Sequence, residues 1–326
     1  MTMLERVRDA VRRQRLLSKG DKVVLGVSGG PDSVAMLYIL SHLSKEWKIA
    51  IHIAHLDHML RKDSHEDSAF VEKLALKLGL PFTCGRINVG GLAKSGSVEE
   101  IGRKARLGFL FGVARDIKAR KIALGHTLDD QAETVLMRII RGTGLYGLSA
   151  ILPKREIAGF TIIRPLLGLR RFEIEGYLKK KKIRTLTDPS NSEDIYFRNR
   201  IRGRLMPLLE KGYNRNIKEA LANLAASAAY DYDYLWSAAC KKAGANTRRI
   251  NIKKFLRLPV SLQRLTLRLY IQRLNGDTRR LTFKHISDME DLVFNRPVNS
   301  VLDLPRGLSF AKRHSCLVFY KKSINA

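Results

Sequence analysis

The first half of this chain alternates short β-branched runs with segments of helical periodicity, and that alternation restricts the fold more than any other feature. The strand-like runs cover residues 23–27, 49–54, 81–88 and 122–125, and the helical patterns cover 33–43, 64–78, 97–117 and 128–141. Ser97 and Glu100 supply the S-x-x-E of a capping box at the start of the third helix. A strand that returns to its sheet through a helix pairs in parallel, and the helices then cover both faces. The expected architecture is an α/β fold with a Rossmann-like parallel sheet. Ligands of such sheets bind outside the carboxyl ends of the strands.

The pattern changes after residue 150. Residues 160–166 read as one more strand and 170–182 as a helix ending in the run KKKK at 179–182. The segment DPSNSEDIYFRNRIRGRLMPLL begins as a turn and becomes a strongly basic helix, and KGYNR at 211–215 reads as a hinge. Helical patterns follow at 216–242, 261–274 and 283–294, and strand-like runs at 300–304, 308–311 and 316–320 close the chain. Two domains are expected, 1–215 and a smaller, mainly helical, basic one over 216–326. A chain of 326 residues suits that number.

The first strand runs into VVLGVSGGPDS, residues 23–33. Neither G-x-G-x-x-G nor G-x-x-x-x-G-K-[ST] fits it, and it has no lysine. Its position between strand and helix is still right for an anion. Gly29 and Gly30 permit a turn that points N–H groups inward, Pro31 suits a first helical turn, and Ser28 and Ser33 add hydroxyls. Asp32 is the odd member, because a carboxylate beside phosphate is repulsive unless a cation or proton intervenes. Mg²⁺ binding, proton transfer and simple helix capping are the three readings of it.

The formal charge of +29 points to a polyanion, nucleic acid or an anionic membrane surface. No apolar run approaches the roughly 20 residues that span a bilayer. The N-terminal MTMLERVRDAVRRQRLL has no secretory core and reads as a surface helix. A cytoplasmic location is expected. Cys84, Cys240 and Cys316 are far apart, which indicates neither a zinc module nor a disulfide framework.

SGGPDS resembles the SGGxDS loop of the N-type ATP pyrophosphatases, which split ATP between its α and β phosphates. Further segments narrow the resemblance. HLDHMLRKDSHED begins at His55, SVEEIGRKARLGFL at Ser97, GHTLDDQAETVLMRIIRGTGLYGLS at Gly125, RPLL at Arg164, DPSN at Asp188 and RNRIR at Arg198. In this order they are similar to the tRNA(Ile)-lysidine synthetases, over roughly residues 20–215. The resemblance implies that ATP adenylates the first anticodon cytidine of tRNA(Ile) with a CAU anticodon, and that free L-lysine then displaces AMP from its C2. A tRNA thiolase of the same superfamily and a non-catalytic RNA-binding protein of this fold are the alternatives. Longer family members carry a further C-terminal domain, which this sequence is expected to lack.

The resemblance carries over to particular residues. Ser28, Gly29, Gly30, Pro31, Asp32, Ser33 and His55 are expected to hold ATP. His126, Asp130 and Glu133 belong to the expected reaction centre with Asp32 and Arg106; the two acids would hold the lysine amine or a metal, and His126 would position substrate. Asp130 and Glu133 share a helix face at a spacing of three, as do Asp129 and Glu133 at four. Asp32 and Asp129 are the candidate Mg²⁺ ligands. Arg103 is open between an intrahelical pair with Glu99 and a phosphate contact, and Leu107 stands where the family often has Tyr. His55 and His58 lack the further ligands of a zinc site.

Arg198, Arg200 and Arg202 are expected to grip the tRNA backbone, and KKKK either does the same or is a solvated patch. Tyr146, Tyr196 and Phe197 are candidate stacking platforms for unstacked loop bases. The glycine-rich loop at 141–149 is expected to approach the nucleotide or the flipped base.

Overall fold

The structure, a computed structural model, describes residues 1–59, 63–92, 98–186, 197–244, 248–278 and 280–321. It divides into two compact units, Met1–Ser227 and Ala228–Ala326. Among the described residues no helix is long and apolar enough to cross a membrane.

The first unit opens with α1 (Met3–Arg13), capped by Thr2 and Glu5. Then follow β1 (Lys22–Gly26), α2 (Pro31–Trp47), β2 (Ala50–Asp57), α3 (Ser64–Leu78), β3 (Phe82–Arg86), the single turn α4 (Val89–Leu92), α5 (Val98–Asp116), β4 (Lys121–Leu124) and α6 (Leu128–Ile140). A turn α7 (Leu145–Leu148) precedes β5 (Lys154–Ile157), β6 (Phe160–Ile163) and α8 (Arg171–Lys180). Ser97 of the expected capping box, the DPSN segment, Tyr196 and the side chain of Glu99 lie outside the described residues.

The six strands run in the order β3-β2-β1-β4-β6-β5, parallel except for β5. Helices cover both faces, so the central strands are apolar without interruption, and Val23, Val24 and Leu25 are fully buried. The period of two sorts them: Val23 and Leu25 pack with α1, α2, α3 and α8, whereas Val24 packs with Leu110, Val113 and Ala114 of α5. β5 was not legible in KREI. It is an exposed, charged edge strand, held by a two-residue hairpin turn at Ala158 and Gly159 with φ of 52° and 82°.

The strand order reverses between β1 and β4. Both strands end on the same side, β1 at the SGGPDS loop and β4 at Gly125–His126–Thr127. A Cβ on Gly125 would lie 3.1 Å from backbone atoms of Asp32 and Ser33, so only glycine lets the two segments meet this closely. The crevice at a topological switch point is where such sheets bind ligands.

The basic segment forms consecutive helical pieces: α9 (Phe197–Arg200), a π-helical turn (Ile201–Leu205) and α10 (Met206–Gly212). Its buried Ile201 and Met206 pack on Ala132, Val135 and Leu136 of α6. Helix α11 (Ile217–Ala243) runs on past the division into the second unit.

The second unit contains β7 (Arg249–Asn251), α12 (Ile252–Leu256), α13 (Val260–Asn275), α14 (Phe283–Phe294), β8 (Val301–Leu304), β9 (Leu308–Lys312) and β10 (Cys316–Lys321). The three closing runs form with β7 a four-stranded antiparallel sheet in the order β7-β10-β9-β8, and Tyr270, Phe310 and Phe319 pack within its core. The three-residue β7 is too short to register as a periodic pattern.

Candidate active site

Gly29 takes φ +89°, a conformation that L side chains rarely adopt, and a Cβ there would lie 2.6 Å from Leu186 Cδ1. Its carbonyl accepts from the Leu186 N–H at 2.9 Å. Gly30 caps α2 and Pro31 begins it. Ser33 Oγ donates to the Gly30 carbonyl at 2.9 Å and accepts from the Ser28 N–H at 3.1 Å. The loop is thereby closed on itself at the positive end of a 17-residue helix.

Asp32 leaves the loop toward α6 and α8. Its side chain is 20% exposed. Arg171 Nε and Nη2 both donate to Asp32 Oδ2, at 3.3 and 3.2 Å. Its other oxygen, Oδ1, is buried without a hydrogen-bond partner. Burial pushes the Asp32 carboxyl up to about 6, with the Asp130 charge adding to it and Arg171 opposing.

Thr127 begins α6 as a capping box, accepting from and donating to Asp130. This fixes Asp130 Oδ2 on the Thr127 N–H at 2.8 Å and turns Oδ1 toward three arginines: Arg198 at 2.8 Å, Arg171 at 3.6 Å and Arg202 at 3.8 Å. Burial raises the Asp130 carboxyl, but Arg198 and its other partners outweigh that and hold it below the ordinary carboxylate range. Glu133, one turn on and only 3% exposed, receives Nε of both Arg198 and Arg202 at 2.7 Å. Asp129 faces another way. Its Oδ2 accepts the Arg171 N–H at 2.7 Å and its Oδ1 pairs with Lys218 at 3.0 Å. Arg170 extends this network to Glu219 and Glu210.

Buried polar atoms without partners continue around the crevice: His55 Nε2, His58 Nδ1, Arg106 Nε, His126 Nδ1 and Arg164 Nε. His55 is held through Nδ1 by the Val27 carbonyl at 2.9 Å. Burial, with Arg164 and Arg106 nearby, holds the His126 imidazole down at about 3, against the pull of Asp130. Arg164 donates to the Leu152 carbonyl at 2.6 Å, and burial and two neighbouring arginines lower it to about 10. Unpaired buried polar groups are expensive in a protein interior, and their concentration at one place marks a ligand site.

The structure thus gathers Asp32, Asp130, Glu133, Arg171, Arg198 and Arg202 into one ion-pair cluster, beside the loop of Ser28, Gly29, Gly30, Pro31 and Ser33, whereas Asp129 pairs outside it with Lys218. Arg200 is exposed, and it and Arg141 both lie over the Phe197 ring, with guanidinium-to-centroid distances of 5.6 and 5.0 Å. Phe197 and Arg200 line a groove of about 350 Å³ with Ile140, Ile201, Arg204 and Leu208. Arg103 is exposed on α5, and Tyr146 accepts from Arg155 at 3.1 Å. Lys179, Lys180, Lys181 and Lys182 are exposed at the end of α8. Arg171 and Lys218 were missed by sequence reading. Arg171 has only a local signal, the pair RR directly after RPLLGL, and Lys218 has none, since its partner Asp129 is distant in the chain.

A model of the PP-loop domain matches residues 3–209. The tRNA(Ile)-lysidine synthase of Clostridioides difficile (strain 630) is 37% identical over 336 residues, covering 99% of this chain and 71% of that protein. That of Caldanaerobacter subterraneus subsp. tengcongensis is 36% identical and covers 98% of this chain and 69% of that protein. The chain therefore spans about 70% of the length of these relatives. Among solved structures, the U34-tRNA thiolase NcsA from Methanococcus maripaludis, with its [4Fe-4S] cluster, matches 69% of this chain and 76% of its own. Its TM-score is 0.59 at 21% identity, a likeness of fold.

Proposed function

The chain belongs to the tRNA(Ile)-lysidine synthases of the PP-loop group, and from that premise we propose how its residues divide the work of an ATP-dependent tRNA-modifying ligase. One observation supports the reading most: a single guanidinium, Arg171, touches both the acid of the SGGPDS loop and the acid that caps α6. The site for the departing phosphates and the site for the second half-reaction are therefore adjacent.

In the first half-reaction, O2 of the first anticodon cytidine of tRNA(Ile) with a CAU anticodon attacks the α phosphorus of ATP. The α–β phosphoanhydride bond breaks and its electron pair leaves on pyrophosphate. The N–H groups of the Ser28–Ser33 loop and the start of α2 receive that charge. His55 and Arg106 line the nucleotide crevice. In the second half-reaction the amine of L-lysine attacks C2, the C2–O bond breaks, and AMP departs. Asp130 and Glu133 supply the negative charge that draws in the lysine ammonium, which sheds a proton before attack. His126, neutral, positions substrate through its ring nitrogens.

Asp32 Oδ1, buried and without a donor, fits Mg²⁺, whereas both oxygens of Asp129 are already engaged. Asp32 together with substrate phosphates would hold the ion, which would supply charge neutralisation there. Asp129 orders the start of α8. Residues 1–215 carry catalysis, and 216–326 add basic surface for tRNA. Exposed Arg200 and Arg103 contact the tRNA backbone; Arg198 and Arg202 do so less directly, since they are committed to Glu133.

Incubation with ATP, labelled L-lysine and tRNA(Ile) transcripts carrying C or U at the first anticodon position tests the reading. Label should enter only the C form, with stoichiometric AMP. Absence of lysine transfer, or transfer to both transcripts, overturns it.

A further inference from the structure

The SGGPDS loop carries no lysine, yet cleavage between the α and β phosphates releases a highly charged leaving group. Any side-chain cation that joins Mg²⁺ there has to come from elsewhere in the chain. We infer that Arg171 is a further catalytic residue, which reaches from the start of α8 to hold the pyrophosphate as it departs; this rests on the adenylation step proposed above.

The placement is specific. Three helices begin around Arg171: α2 at Gly30, α6 at Thr127 and α8 at Arg170. Its own backbone N–H is fixed at 2.7 Å by Asp129 Oδ2, and Lys218 holds the other oxygen of that carboxylate. The base of the side chain is therefore anchored. The side chain is 23% exposed, and its guanidinium is the part left to reorient.

Its contacts are loose by comparison with its neighbours. Arg198 and Arg202 each place Nε 2.7 Å from Glu133. Arg171 directs two N–H groups at one oxygen of Asp32, at 3.3 and 3.2 Å, and stands 3.6 Å from Asp130. A guanidinium forms its strongest pair when two parallel N–H groups meet two oxygens, and phosphate offers that geometry as well as carboxylate does. Arg171 thus touches a residue of the phosphate loop without being satisfied by it. Arg198 and Arg202 are committed to Glu133, and Arg106 and Arg164 lie toward His126. As the α–β bond breaks and negative charge collects on the β phosphate, the fork exchanges Asp32 for phosphate oxygen. No bond to Arg171 is made or broken beyond hydrogen bonds.

Direct titration of inorganic pyrophosphate into the full chain, and into Arg171→Ala and Arg171→Lys, tests this, with AMP titrated in parallel. Pyrophosphate affinity should fall about tenfold or more in Arg171→Ala and by less in Arg171→Lys, which keeps charge but loses the fork, while AMP affinity stays within about twofold. Single-turnover AMP formation with tRNA(Ile) should fall about 100-fold in Arg171→Ala, with the KM for tRNA unchanged. Pyrophosphate affinity unchanged in the variants overturns the assignment, and so does an equal loss of AMP binding, which would indicate a structural role. Should Arg171→Ala fold poorly, Arg171→Lys carries the same readouts. Lysine transfer by the wild type is scored separately. Arg171-dependent pyrophosphate binding without lysine transfer would count against the proposed function and for Arg171.

Discussion

Arg198 places its Nε 2.7 Å from Oε2 of Glu133, a carboxylate whose side chain is only 3% exposed. Arg202 approaches the other oxygen at the same distance; Arg198 lies in α9 and Arg202 in the π-helical turn that follows it. Such wide turns are frequent at functional sites, and residues four apart already share a helix face. Here two arginines four apart converge on a single acid.

A buried carboxylate stripped of its partners is strongly destabilising, by roughly 3–5 kcal/mol, whereas replacing the whole group by neutral residues is far milder. Arg198→Met with Arg202→Met should therefore cost about that much in urea unfolding, more than the two single variants together. Adding Glu133→Gln should restore a large part of the loss. If the triple variant is no more stable than the double, Glu133 is not held as described. Lysine transfer should be lost in all variants that lack Glu133.

Adjacent glycines of the loop should respond in opposite ways. Gly29 has φ +89° and no room for a Cβ, with Leu186 2.6 Å away; Gly30 lies outside that region and meets only Ser28 Oγ at 3.6 Å. Gly29→Ala should lower stability by about 1–2 kcal/mol through backbone strain, and trimming Leu186 to Ala should not rescue it fully. Gly30→Ala should keep the wild-type Tm and weaken ATP binding, since its Cβ would project where phosphate is proposed to sit. Matched thermal melts and ATP titrations decide this, and equal Tm values for the two variants would contradict the loop geometry.

The sheet and most helices were legible because period two and period 3.6 are written directly into apolar positions. α3 and α14 match the sequence expectation at both ends, and the SGGPDS loop, His126, Asp130 and Glu133 announce themselves as short local patterns. What stayed hidden depends on separation in the chain. Arg171 lies 139 residues from Asp32 and Lys218 lies 89 from Asp129, and no local spacing encodes either pair. The edge strand β5 was hidden for a different reason: charged residues protect exposed edges, and they also erase the apolar alternation by which strands are read.

Burial raises the Asp32 carboxyl to about 6. Its ionised form is needed for adenylation as proposed, so the rate of AMP formation should fall on the acid side. Stability should move the other way. A raised folded-state value contributes stability that is complete below about pH 4 and is lost as pH rises through 6. The difference in unfolding free energy between Asp32→Asn and wild type should shift in favour of the variant across that window, by at most about 3 kcal/mol. A difference that stays flat from pH 4 to 8 would exclude the buried, destabilised carboxylate.

His126 should stay uncharged throughout the working range. Its imidazole is held down at about 3 by burial, with Arg164 and Arg106 opposing a second positive charge and Asp130 only partly compensating. A histidine depressed in the folded state supports the fold above its ordinary value of about 6.5 and undermines it as the pH falls toward 3. The ring therefore acts as a neutral hydrogen-bonding group, not as an imidazolium acid. In ¹³C-histidine spectra, the ring signal assigned through His126→Gln should not move between pH 8 and pH 5. A His126 midpoint between pH 5.5 and 7.5 would show that the crevice admits charge on this ring. The ring would then be an imidazolium in place of the neutral positioning group assigned to it.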